Sequence, residues 1–196
     1  MNKRLKTMSL TALFAALILV STAYAKIPIG FGYVHVGDIF IMTGAFFLPT
    51  VYAVLSAAIG SMLADLIAGY VIYMPVTFFV KGLMALVCSL LYYKKFKFVR
   101  LLAGTVAASV AMLVGYFVFE GFYYGWAGAI GNIPLSLIQP AVSVTCAVLL
   151  TPALGKIPYL INLKEEIMPR KKVSTKAHAP AEKASDSDVE DAGASD

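Results

Sequence analysis

Charge is what this sequence has least of. Only 14% of its 196 residues are charged, against about a quarter in soluble domains, while 60% are hydrophobic. Between Met8 and Tyr159 the only acids are Asp38, Asp65 and Glu120. A water-soluble fold of this composition would expose large apolar surfaces, which soluble monomers avoid. Cysteine is nearly missing as well. Cys88 and Cys146 each lie inside an apolar run, and neither has redox or metal-ligand spacing. The chain lacks G-x-x-x-x-G-K-S/T, G-x-S-x-G and H-E-x-x-H, so it carries no Walker-type ATP site and no recognisable catalytic machinery. No metal and no cofactor is implied. The net charge of +5 is the sum of basic loops and a mixed tail, without the clustered basic face that nucleic acid needs.

What is present is a series of apolar runs. They cover Met8–Ala25, Val36–Leu48, Val51–Ile72, Pro75–Tyr93, Leu101–Phe119 and Ile133–Leu154. A membrane-spanning helix needs about 20 apolar residues. Five runs meet or approach that, and the second, ended by Pro49, reaches only roughly 20 Å. The prediction is an all-α integral membrane protein of six transmembrane helices with a short second helix. Placing the N-terminus inside gathers Lys3, Arg4, Lys6, Lys94, Lys95, Lys97, Arg100, Lys156 and Lys164 on the cytoplasmic side and leaves Lys26 alone outside. Both termini are therefore expected in the cytoplasm. A competing reading of the start is a signal peptide cleaved after Ala23-Tyr24-Ala25, which leaves the orientation of the rest unchanged. The membrane domain is expected over residues 1–163. The stretch 164–196 has no aromatic residue and is expected to be a disordered cytoplasmic tail, with Arg170-Lys171-Lys172 as a possible contact for anionic lipid.

Ionisable side chains inside a bilayer are costly and persist where they face protein or a watery cavity. Asp65 and Lys81 fall at similar depth on runs joined by a short link, which suggests a structural ion pair; the alternative is that Lys81 lines a cavity. Gln139 falls at a similar depth, with Glu120 and Asn132 nearer the outer face. Tyr123, Tyr124 and Trp126 follow Glu120 and read either as an interfacial belt or as stacking surfaces of a pocket for a small planar ligand. The outer segment Lys26–Asp38 holds Pro28, Gly30 and Gly32 among β-formers. It reads as a turn or short hairpin able to cover the outer mouth as a lid, with His35 as a lid contact. Ala12, Ala15 and Ala16 form a smooth strip on the first run that would let another helix approach closely.

These features together resemble the S component, the substrate-binding membrane subunit, of energy-coupling factor (ECF) vitamin transporters. The resemblance covers roughly residues 5–160. It rests on Ala12-x-x-x-Ala16, on Tyr33-Val-His-Val-Gly-Asp38 leading into a short span, and on Gly60-Ser-Met-Leu-Ala-Asp65-Leu-Ile-Ala-Gly-Tyr70 followed by Tyr73-Met-Pro-Val-Thr-Phe-Phe-Val-Lys81-Gly82. The last two stretches look most like the branch for hydroxymethylpyrimidine or pyridoxine-type substrates. The family implies one vitamin or precursor held near the outer face. It also implies a transmembrane coupling subunit docked on the Ala12/Ala16 strip, and two ATPase subunits that supply the energy this chain cannot. On that reading His35, Lys81, Glu120, Tyr123, Tyr124, Trp126, Asn132 and Gln139 are the substrate-binding candidates. The remaining reading is a membrane scaffold or assembly protein with no small ligand.

Overall fold

A computed structural model describes residues 2–92 and 98–168. The basic residues Lys94, Lys95 and Lys97 and the tail from 169 on, with Arg170-Lys171-Lys172, lie outside the described residues. Eight α-helices and one hairpin follow in order: α1 (Lys3–Tyr24), β1 (Lys26–Ile29), β2 (Gly32–His35), α2 (Gly37–Phe47), α3 (Thr50–Ala68), α4 (Met74–Tyr92), α5 (Phe98–Tyr123), α6 (Trp126–Ser136), α7 (Ile138–Leu154) and α8 (Pro158–Ile167). Among the described residues, five helical stretches are long and apolar enough to cross a membrane: α1, α3, the stretch Val71–Tyr92, α5, and α6 with α7 taken together. Large apolar side chains such as Phe79, Val99, Val110 and Leu149 point outward from these helices. In water that surface would be prohibitive; in lipid it is the expected exterior.

α2 is the exception, and it organises the rest. It has 11 residues, about 16 Å of helix, and Leu48 and Pro49 end it. Almost every one of its residues is buried, with Ile41, Met42, Ala45, Phe46 and Phe47 in the apolar core. α1, α3, α4 and α7 all pack against it. A helix apolar all round belongs in the middle of a bundle, and that is where α2 sits.

The contact between α1 and α3 is close. α1 and α3 meet at Gly60, where an added Cβ would stand 2.7 Å from the Ala15 carbonyl oxygen and 3.2 Å from Ile18. Gly60 thus lets the two backbones approach, as small residues do between membrane helices. α3 then ends at Gly69, whose φ of 84° is left-handed; its N–H caps the carbonyls of Asp65 and Leu66. A 3-10 turn over Val71–Tyr73 leads into α4.

One expectation changes. The sixth run does not form one helix from Ile133. The helical stretch starts earlier, at Trp126, and breaks at Ser136–Leu137 into α6 and α7. Pro134 and Pro140 flank the break, and each lacks the N–H that a continuous helix would need there. α8 is helical through Ile167, which is buried, and Lys6 pairs with Glu166 at 2.6 Å, tying α8 back to the start of α1.

Candidate functional site

Helices α3, α4, α5, α6 and α7 surround a cavity of about 260 Å³, roofed by the hairpin. The hairpin is antiparallel, with Lys26 opposite His35 and Ile29 opposite Gly32. Three successive residues of β2, Tyr33, Val34 and His35, border the cavity. Contacts along the hairpin's length hold it down. The Phe31 ring stacks on Tyr124 with centroids 4.4 Å apart, Tyr73 donates from its hydroxyl to the Phe31 carbonyl at 3.3 Å, and Tyr33 donates to Asp65 Oδ1 at 2.5 Å. Lys26 sits 5.2 Å from the Tyr33 ring and 5.7 Å from that of Tyr70.

The deepest polar group is an ion pair, but not the one expected. Lys81 Nζ lies 2.6 Å from Asp38 Oδ1, both side chains being buried. The proposed Asp65–Lys81 pair does not form: Asp65 faces Tyr33 instead. Asp38, which reads in sequence as the end of a loop, is the second residue of α2, and burying α2 carries its carboxylate to the centre of the bundle. A lone buried charge there would be costly, so the pair compensates itself. Gln139 Nε2 donates to Asp38 Oδ2 at 2.5 Å and lies 3.1 Å from His35 Nε2. Lys81 also approaches Met112 Sδ at 3.1 Å and lies 5.5 Å from the Tyr116 ring. The Gly37 N–H points at His35 Nδ1 from 3.1 Å. Burial pushes the His35 imidazolium pKa down to about 4, helped by Lys81 and opposed by Asp38, so the ring is neutral at physiological pH. Burial, then the Asp65 charge, raises the Tyr33 hydroxyl well above its ordinary range, which keeps it a donor.

The rest of the wall is aromatic with scattered polar groups. Tyr70, Tyr73, Tyr116 and Phe117 line it, and the Thr77 and Tyr116 hydroxyls are 3.0 Å apart. Towards α6, Asn132 donates to Glu120 Oε2 at 2.9 Å and to Ser136 Oγ at 3.2 Å.

The fold therefore brings His35, Lys81, Glu120, Asn132 and Gln139 to one cavity. Tyr123, Tyr124 and Trp126 do not line it; all three are exposed, and Tyr124 acts through the hairpin as the platform for Phe31. Residues absent from the sequence-level set include Tyr33, Ser61, Asp65, Tyr70, Tyr73, Thr77 and Tyr116, with Asp38 just behind the wall. Asp65 was legible as an intramembrane acid; the tyrosines carry no signal that separates them from belt aromatics. Among the described residues no three His, Cys, Asp or Glu side chains are grouped to hold a metal ion. On α1, Ala12 and Ala16 are exposed, whereas Ala15 is half-buried where α3 approaches.

The cavity can enclose a small planar molecule against tyrosine faces and meet it with fixed donors and acceptors. Comparison with known proteins agrees with that chemistry. The thiamine precursor transporter HmpT of Lactococcus lactis subsp. cremoris (strain MG1363) is 28% identical over 167 residues, 84% of this chain and 96% of that one. An uncharacterised protein of Pyrococcus woesei is 30% identical over 124 residues, 62% of this chain and 83% of that one. Residues 2–156 match the family described as ECF-type riboflavin transporter, S component. With the apolar helices that carry this cavity, the match identifies a multi-pass membrane protein of vitamin transport, not an enzyme: the chain belongs to the S components of ECF-type transporters.

Proposed function

We propose that this chain is the substrate-specific subunit of an importer in the bacterial cell membrane, and that it binds a single-ring vitamin precursor of the hydroxymethylpyrimidine or pyridoxine type. The cavity carries this reading. Its volume of about 260 Å³ lies at the small end of the ~300–1,000 Å³ usual for ligand pockets. One substituted ring fits that space; a tricyclic flavin with its sugar-alcohol chain is far larger. The relative from Lactococcus lactis is a thiamine precursor transporter, which favours the pyrimidine. His35, Lys81, Glu120, Asn132 and Gln139 form the polar part of the site. Lys81 and Gln139 act through Asp38, while Tyr123 and Tyr124 with Trp126 form the outer rim.

The basic bias of one face supports six membrane passages with both termini in the cytoplasm. The second is the short α2, buried among the others. A transmembrane coupling subunit and two ATPase subunits supply the energy, and the exposed Ala12 and Ala16 form the docking strip. The test is calorimetric titration of the purified chain with hydroxymethylpyrimidine, pyridoxine and riboflavin, with mass spectrometry of small molecules carried through purification. Tight stoichiometric binding of a single-ring compound is expected. Binding of riboflavin alone would overturn the substrate, and binding of no small molecule would favour a scaffold.

A further inference from the structure

Two polar atoms in the cavity wall are buried without a hydrogen-bond partner: Ser61 Oγ and Asp65 Oδ2. Both residues are on α3, four apart, so they stand one above the other on one face. Both line the cavity, and their exposures are 0% and 4%. Tyr33 occupies Asp65 Oδ1 and Lys81 is held by Asp38, while the Thr77 hydroxyl, beside Asp65, lies 3.0 Å from that of Tyr116. A buried acceptor and a buried hydroxyl left unmatched are unfavourable by about 1–3 kcal/mol each. In a ligand cavity they mark where the missing partner belongs.

We infer that Ser61 and Asp65 are the specificity-determining pair of the site, and that they read an amino group beside a ring nitrogen on a planar azine. This rests on the reading of the cavity as the ligand site. The amino N–H donates to Asp65 Oδ2, and the Ser61 hydroxyl donates to the adjacent ring nitrogen. A neutral aminopyrimidine edge satisfies both atoms at once, with its ring faces against tyrosine. A ring without such an edge leaves one of the two unmatched. The same carboxylate holds the hairpin through Tyr33, so ligand and hairpin share one anchor.

The test uses the full chain purified in detergent and two probes: 4-amino-5-hydroxymethyl-2-methylpyrimidine and the same molecule with hydrogen in place of the amino group. The wild type is expected to prefer the amino compound by roughly 10- to 100-fold. Asp65→Asn should shrink that preference to within about 3-fold, because it replaces the carboxylate that accepts from the amino group. Ser61→Ala should weaken both probes alike, by roughly 3- to 10-fold, because both keep the ring nitrogen that its hydroxyl meets, and should leave the thermal midpoint unchanged. If Asp65→Asn binds neither probe, Ser61→Ala decides the matter. A preference that survives in Asp65→Asn, unchanged affinities in Ser61→Ala, or a wild type that binds both probes equally overturns the pair and leaves the proposed function standing. A wild type that binds neither pyrimidine overturns the proposed substrate and this pair with it.

Discussion

Lys81 and Asp38 are a cation and an anion that the interior tolerates only together. Removing either leaves the other uncompensated, which typically destabilises by about 3–5 kcal/mol. Lys81→Met and Asp38→Asn should therefore each lower the thermal midpoint sharply in detergent, and the double variant should be more stable than the sum of the two losses. Additive losses would deny the pair. His35 gives a second expectation. Its folded-state pKa is depressed from 6.5 to about 4, so the unfolded chain takes up a proton that the folded one refuses. Stability should be full above pH 6.5, decline as pH falls, and level off below about 4, by roughly 3 kcal/mol in all. Thermal midpoints measured across that range for wild type and His35→Asn isolate the effect, since the variant lacks this component of the slope. At this scale the sequence was informative about cost and silent about partners. Lys81, Glu120, Asn132 and Gln139 stood out because polar groups are expensive in lipid. The partner of Lys81 did not, because Asp38 is distant in sequence and follows loop-like residues.

Helices were legible where hydropathy alone decides them, and less so where the cavity intervenes. The run that contains Gln139 is apolar throughout, so nothing in its periodicity announced the break at Ser136–Leu137; only Pro134 and Pro140 hinted at it. The hairpin over Lys26–His35 was readable from its glycines and β-formers, but not its inward face. The α1–α3 contact permits a separation of roles. Gly60→Val places bulk against the Ala15 carbonyl and should destabilise the chain by about 1–3 kcal/mol, read as a lower thermal midpoint. Ala16→Leu lies on the exposed side of α1. It should leave stability and ligand affinity unchanged within about 0.5 kcal/mol while weakening co-purification with a coupling subunit. Equal recovery of partner subunits with wild type and Ala16→Leu would move the docking surface elsewhere.

For the whole molecule, the orientation is open to a direct check. In a background without Cys88 and Cys146, Ala127→Cys should react with an impermeant thiol reagent added to intact cells. Lys156→Cys should react only after the membrane is opened; the reverse pattern would invert the topology. The helices also differ in height. α3 has 19 residues, about 28 Å; α5 has 26, about 39 Å; the stretch Trp126–Leu154 has 29, about 43 Å if it were straight. The hydrocarbon core of a bilayer is about 30 Å thick. The apolar belt is thus uneven: low along α3, tall where α5, α6 and α7 pack together. Lipid must stretch on one flank and relax on the other, and each ångström of hydrophobic mismatch carries a small elastic cost. The low flank at α3 adjoins α1, which carries Ala12 and Ala16. Covering it with another protein would relieve that strain whatever the two surfaces' chemistry, so longer acyl chains should strengthen assembly on that side.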